Sequence, residues 1–411
     1  MSMAAGGPGQ VRWGGVFASA LAAVSWAYLL MAGIAALGLH LLGADAVGQL
    51  GPMAAAVMVL SVGGSISPSG DMGAFGLDDS AAHAAIDIAP LGISAAGALV
   101  LGWLFTRSLR QAGPYITPAE LAARAGAVVV LFTALLGGLA WAGSGKVTID
   151  GSKLPMKNIP GADIGDQLPG GLGDIGGGLP DALGDLANAK ASVGFEVHAA
   201  RSLFAGLLWV IVVLAVSLAA SRLSPLPRGW EALHHVVRPA ASALRFAVVL
   251  AWAAGLAAGA YSAVTEDAHK QITGAALIGA PNGTWLALPL GLFVPWHGKA
   301  TGQMAKLLPD PMDKLLSGDD KPITLSRLAD LDNRVWLLAV ATALMMLTAG
   351  VLTAARTPVR NAPTAAYAGR CALRLGAVTA LTLPLLVWLT GLSADASLSV
   401  FGLDAVGAGV E

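Results

Sequence analysis

The sequence predicts an all-α polytopic membrane protein with about seven transmembrane helices, two short re-entrant or interfacial outer segments, and a small extracellular β-cluster. Three observations predict it. Only 12% of the 411 residues are charged while 55% are hydrophobic, where a soluble domain carries roughly 25% charged residues. The apolar residues fall in blocks long enough for ~30 Å of hydrocarbon, which takes about 20 residues of helix. The arginines also segregate along the chain from the lysines and the acids, the asymmetry that orients membrane proteins.

Seven stretches run for 18–26 residues without an acidic residue or a lysine: 14–39, 88–106, 125–142, 200–221, 246–264, 335–355 and 375–392. The first, Gly14 to Leu39, exceeds the roughly 7–15 residues of a secretory h-region and reads as a retained span. Two further apolar stretches, 50–63 and 274–296, are ambiguous. The second contains PNGTWLALPLGLFVPW (281–296), which three prolines and two glycines cut up.

Arginine placement resolves the ambiguity. Segments 107–124, 222–245 and 356–374, together with Arg12, hold 12 of the 15 arginines, with only Glu120 and Glu231 as counter-charges. All nine lysines and 23 of the 25 acidic residues lie in the other connecting segments. By the positive-inside rule the arginine-rich set and the N-terminus are cytoplasmic. A crossing by 50–63 alone would put Arg107, Arg110 and Arg124 outside, and one by 274–296 alone would do the same to Arg356, Arg360, Arg370 and Arg374. Both segments are therefore expected on the outer side, with the N-terminus inside and the C-terminus outside. The chain divides into a first membrane half (1–142, with outer segment 40–87), a Gly-rich extracellular loop (143–199) and a connecting span with a basic cytoplasmic loop (200–245). A second membrane half (246–392, with outer segment 265–334) and an extracellular C-terminal tail (393–411) follow.

The outer segments carry the remaining local signals. KVTID (146–150), SVGFEV (192–197) and SLSVFGLD (397–404) alternate like short strands, and GAFGLD (73–78) echoes the last of them. The acidic, Gly-rich middle of the long loop (170–186) reads as weakly ordered chain. The loop's aspartates Asp163, Asp166, Asp174, Asp181 and Asp185 have no calcium-loop spacing. MAKLLPDPMDKLL (304–316) suits an amphipathic surface helix. TLSRLADLDNR (324–334) suits a helix capped by Thr324 that runs on into the sixth span. Asn282-Gly283 reads as a turn. The order span, outer segment, span, cytoplasmic loop, span occurs twice, around spans 1–3 and 5–7. It suggests a parallel repeat of the kind some transporters have, although alanine-rich composition alone also produces such echoes.

A search for chemistry returns little. The single cysteine, Cys371, excludes an internal disulfide and a cysteine-based metal site. No HExxH, GxSxG, Walker A or dinucleotide fingerprint is present, and no pattern calls for a cofactor or a metal. The intramembrane polar residues Ser25, Thr133, Ser217, Thr342, Thr348, Thr379 and Thr382 suit helix packing. His234-His235, beside Arg228, Trp230 and Arg238, suits a basic helix on anionic lipid. The outer histidines His83, His198, His269 and His297 follow no ligand spacing.

WLALPLGLFVPWHGKATG (285–302), LLPDPMDKLL (307–316), PITLSRLADLDNRVWLLAVATALMMLTAGVLTAARTP (322–358) and IAPLGISAAGALVLGWLFTRSLR (88–110) resemble the streptophobe family, very hydrophobic membrane proteins of Streptomyces and relatives. The resemblance implies an actinobacterial plasma-membrane protein and no particular activity. The expectation is a non-enzymatic envelope scaffold or accessory subunit. Its partners would be the lipid bilayer and an envelope protein met through the acidic outer loops. The net charge of -1 argues against nucleic acid. The alternatives are a small-molecule transporter or channel with a pseudo-repeat and, less favoured by the motifs, an enzyme using outer acids and histidines. Pro281, Asn282, Gly283, Trp285, Pro289, Pro295 and Trp296 mark the expected substrate-path or partner segment.

Overall fold

A computed structural model describes residues 13–46, 48–69, 83–87, 89–113, 116–143, 145–150, 190–221, 225, 231–265, 268–295, 322–358, 363–390, 393–400, 403–405 and 408–409. Ten α-helices are described: α1 Trp13–Leu41, α2 Leu50–Ser61, α3 Leu91–Ala112, α4 Pro118–Ala142 and α5 Ala199–Ala220, then α6 Glu231–Thr265, α7 His269–Gly291, α8 Leu325–Ala329, α9 Trp336–Arg356 and α10 Thr364–Thr390. Seven of them, α1, α3, α4, α5, α6, α9 and α10, are long and apolar enough to cross a membrane. The protein is an all-α, multi-pass membrane protein whose spans match the seven apolar runs of the sequence.

Helix boundaries move where polar residues continue a turn that the hydropathy did not mark. α4 begins seven residues before its apolar run. Thr117 caps it by accepting from the Glu120 backbone N–H at 3.1 Å, Pro118 fills the first turn, and the Glu120 carboxylate takes Arg124 at 3.0 Å one turn on. α6 runs unbroken through Pro239, so the basic helix expected in the 222–245 loop and the fifth span are one helix. α10 likewise starts at Thr364 and carries Arg370 and Arg374 within it. The helix expected to run from Thr324 into the sixth span is instead broken. Thr324 does cap α8, but Asp332 then caps a new turn through the Arg334 N–H at 2.9 Å, ending one helix and starting the next.

Among the described residues seven strands form one antiparallel sheet: β1 Ile66–Ser69, β2 His83–Asp87, β3 Gly145–Asp150, β4 Lys190–Val197, β5 Ser393–Val400, β6 Leu403–Ala405 and β7 Ala408–Gly409. The order is β3-β4-β1-β2-β5-β6, with β7 also on β5. The three alternating stretches of the sequence thus become β3, β4 and β5–β6, and Val147 faces Val193 in the register. β1 and β2 were not foreseen, while GAFGLD, the Gly-rich loop and 304–316 lie outside the described residues.

The sheet fixes the relative sidedness of the helices. β2 leads into α3, β3 leaves α4, β4 leads into α5 and β5 leaves α10, so those four helix ends share the sheet end of the bundle. Short connections then place the far ends of α3, α4, α5, α6, α9 and α10 together at the opposite end, here the loop end. It follows that α6 finishes, and α9 begins, at the sheet end. The C-terminal end of α1 is there too, because Gly38 abuts Gly274 and Ile278 while Leu277 and Ile278 abut Gly92, the second residue of α3.

Two apolar clusters hold the helices. In the first, Val24 and Met31 of α1, Leu101 and Phe105 of α3, Phe132 and Leu136 of α4 and Val210 of α5 pack together, nearly or fully buried. Tyr28, Phe132 and Trp209 pack in series with ring centroids 5.0 and 5.1 Å apart, the first pair tilted and the second stacked. The Tyr28 hydroxyl donates to the Phe132 carbonyl at 2.9 Å, and the Trp209 indole donates to Ser94 Oγ at 2.8 Å. The second cluster joins Leu91 to Ala247, Trp285, Leu288, Met345, Ala349 and Leu386. Leu337, Leu344, Leu347, Leu373 and Leu381 stay exposed on α9 and α10, which suits faces solvated by lipid.

Candidate functional site: a non-spanning helix between the two halves

The segment singled out in the sequence folds as α7. It is one continuous helix of 23 residues with Pro281 and Pro289 inside it, so Pro281-Asn282-Gly283 is not a turn. At 1.5 Å per residue such a helix is roughly 34 Å long, enough to cross. It nevertheless does not carry the chain across. It follows the sheet end of α6, and beyond its other end Phe293 lies with its ring 6.4 Å from that of Trp336, the first residue of α9, also at the sheet end. The same reasoning applies to α2, which lies between the sheet end of α1 and β1. Neither ambiguous segment crosses, and the seven-span count rests on the sheet as well as on the arginines.

Glycines make the seat of α7. Ala276, Ala280 and Thr284, at one-turn spacing, meet Gly259 and Gly255 of α6; a Cβ at Gly259 would lie 2.6 Å from that of Ala276. Gly255 and Gly259 form a GxxxG pair, the pattern that lets membrane helices approach backbone to backbone. Gly274 lies against the Gly38 carbonyl of α1, and Gly291 against Thr342 and the Leu338 carbonyl of α9. α7 therefore touches both halves: α1 and α3 on one side, α6, α9 and α10 on the other. Its counterpart α2 packs chiefly against α1, α3 and α4 of its own half, and also touches α5. The two halves otherwise share one plan, a span followed by a non-spanning helix and two more spans.

Asn282 closes the junction. Its Oδ1 accepts from the Leu91 backbone N–H at 3.0 Å, and its Nδ2 donates to the Ala89 carbonyl at 2.8 Å. Leu91 opens α3, and its N–H is one of the four that a helix start leaves without an internal partner. Pro281 contributes from the same turn. Lacking an N–H, it frees the carbonyl of the residue four earlier, Leu277, and this carbonyl lies against Gly92, at the positive end of the α3 dipole.

The other expected residues have distinct places. Trp285 is buried with its Nε1 lacking a partner among the described residues, and Pro289 is half-buried. Gly283 faces open space, Pro295 is exposed, and Trp296 lies outside the described residues. Of the intramembrane polar residues, Thr342 reaches α7 and Ser217 lies against Gly102 of α3. Thr342, Thr348 and Thr353 all donate to carbonyls one turn back in their own helix. Among the described residues no three His, Cys, Asp or Glu side chains gather. A shallow depression lined by His198, Ala199, Ala200 and Arg201 opens at the start of α5.

One group escaped the sequence reading because it falls at the edge of an apolar run. Arg374 sits ten residues into α10, and its Nη1 is buried without a hydrogen-bond partner among the described residues. Nearby anchors are the Arg356 Nη1 bond to Ser242 Oγ at 3.0 Å and the Tyr367 hydroxyl on the Ala354 carbonyl at 2.7 Å. An intramembrane cation is a signal in its own right, had the span been drawn to include it. No family model, no curated protein and no solved structure matches the chain.

Proposed function

We propose that the protein is a non-enzymatic scaffold or accessory subunit of an actinobacterial plasma membrane, in keeping with its resemblance to the streptophobe family. In this reading the arginine-bearing loop end is cytoplasmic, so the sheet and the C-terminus face outward and offer an envelope partner a platform. The observation that carries the reading is the seat of α7. A helix fitted by glycine contacts to α1, α3, α6 and α9 joins the halves where a transport path would have to open. A second reading, a transporter, is favoured by the twofold plan of the halves and their paired non-spanning helices.

Water accessibility separates the two. In membrane vesicles carrying a Cys371→Ala background, single cysteines are placed at Ser94, Ser217 and Thr342 and treated with a membrane-impermeant thiol reagent. Glu196→Cys, an exposed sheet residue, is the positive control. The scaffold reading expects labelling of the control alone. Rapid labelling at two or more of the buried positions would replace it with the transporter reading.

A further inference from the structure

We propose that the C-terminal end of α7 is a lipid anchor: Phe293 and Val294, with Trp336 and Leu337 of α9, insert into the headgroup–acyl boundary of the leaflet on the sheet side. The first sign is in the backbone. Among the described residues Phe293 is the one non-glycine with a positive φ, 61°. It stands just past the helix end, where its N–H donates to the Leu290 carbonyl and that of Val294 to the Pro289 carbonyl, both at 2.9 Å. This paired closure puts the residue between cap and chain in the left-handed region. Glycine normally fills that position, because a Cβ is disfavoured there.

Burial inside the protein does not offset that strain. Phe293 is 65% exposed, Val294 52% and Leu337 67%, and Trp336, whose ring meets that of Phe293, is exposed as well. These four side chains form one apolar tip. It continues into Val340, Leu344 and Leu347, which follow Leu337 at helical spacing and are exposed along α9. That face of a spanning helix is solvated by lipid, so the tip at its upper end meets the same solvent.

The chain marks the level of the tip. Asp330, Asp332 and Arg334 are exposed, and from Trp336 to Ala355 α9 holds no charged residue. This change from charge to apolar surface at a tryptophan is where headgroups give way to hydrocarbon. Gly291 meets Leu338 and Thr342, two and six residues beyond Trp336, so the end of α7 lies roughly 3–9 Å below that boundary. Helices in the interface bury their Trp, Phe and Leu side chains to a similar depth. Tyr261, four residues before the end of α6, and Phe204, five after the start of α5, are exposed at the same end, so the tip is one arc of an aromatic belt. α7 lies across this end of the bundle: it meets α1 at Gly38, three residues before that helix finishes, and α3 at Gly92, its second residue. Because Asn282 of the same helix holds Leu91, the anchor ties the junction of the halves to one leaflet, in a scaffold and a transporter alike.

The test uses the full chain with Cys371→Ala, reconstituted in phosphatidylcholine vesicles. Phe293→Cys, Val294→Cys, Leu337→Cys, Leu344→Cys and Glu196→Cys each carry an environment-sensitive fluorophore. Quenchers are nitroxides fixed on the acyl chain near the headgroup or near the chain terminus, and iodide present on both sides of the membrane. The first three probes should be quenched most by the shallow nitroxide and read roughly 15 Å from the bilayer centre, the edge of a ~30 Å core. Leu344→Cys, seven residues beyond Leu337, should read about 10 Å deeper than Leu337→Cys, and Glu196→Cys should respond to iodide alone. Val294 is outside the left-handed region, so its variant keeps the test valid if Phe293→Cys fails to fold. Iodide quenching at the tip equal to that at Glu196→Cys would place it in water. Protection from both quenchers would place it under protein, a second copy or a partner. Either result overturns the proposal, as does a reading at the tip as deep as that of Leu344→Cys.

Discussion

Asn282→Ala should loosen the junction between the two membrane halves, and its cost can be worked from the contacts. The substitution removes the acceptor for Leu91 N–H at 3.0 Å and the donor to Ala89 O at 2.8 Å. Removing the cap of a helix costs ~1 kcal/mol, and a typical hydrogen bond contributes about 0.5–1.5 kcal/mol. Leu91 is only 3% exposed, so water does not readily replace the lost acceptor and part of a ~1–3 kcal/mol desolvation penalty is added. The sum is about 2–4 kcal/mol. Asn282→Asp keeps the acceptor and places a negative charge at the start of α3, which favours it, so it should lose about half as much. The assay is reversible unfolding in mixed micelles, followed by tryptophan fluorescence because Trp285 sits one turn away. A loss below ~0.5 kcal/mol for Asn282→Ala would mean that the glycine contacts alone seat α7, and the latch argument would fail.

Four further outcomes follow from the structure. Gly283→Ala should be neutral or stabilise by about 0.5–1 kcal/mol, since mid-helix glycine is entropically costly and nothing lies within 4 Å of the new Cβ. Gly92→Ala, whose Cβ would fall on the carbonyls of Leu277 and Ile278, should destabilise by about 1–3 kcal/mol through overpacking; denaturation midpoints of the two variants should move in opposite directions or differ clearly in size. Thr117→Ala should cost about 1 kcal/mol through the lost cap of α4, read as a lowered unfolding midpoint, with Thr117→Ser restoring most of it. Single cysteines at Lys270 and Arg110 should be labelled from opposite faces of oriented vesicles, and labelling of both from one face would undo the seven-span topology.

The spans were legible because hydrocarbon demands about 20 apolar residues whatever the neighbours are. Which helix ends share a face was legible because arginine position is a property of the chain rather than of packing. Boundaries were less so. Helical hydrogen bonding continues past the last apolar residue when the side chains can reach water or a partner, as Glu120 with Arg124 and Arg356 with Ser242 do. That is why Arg374 looked like a loop residue. β3 and β4 were legible from alternation, whereas ISPS (66–69) is too short and carries a proline, and HAAID (83–87) alternates too weakly. Their strand character comes from pairing with β4 and β5, partners more than a hundred residues away.

The misreading of Pro281-Asn282-Gly283 shows what membrane burial changes. In water an Asn-Gly pair favours a turn because solvent satisfies the freed backbone groups. At α7 water is largely replaced by protein, so leaving the helix would strand several N–H and C=O groups at once. The proline costs one hydrogen bond, and its orphaned carbonyl lies against Gly92 at the start of α3. The asparagine that would have made the turn instead spends its amide on Leu91 and Ala89. The three residues that looked like breakers are thus compatible with the helix because of what α3 presents to two of them. Gly283, which meets nothing, is the member of the trio that this packing does not require. Neither fact is visible until residues about 190 apart are brought together. Local propensity fails here for a tertiary reason, at a helix that packs against both halves.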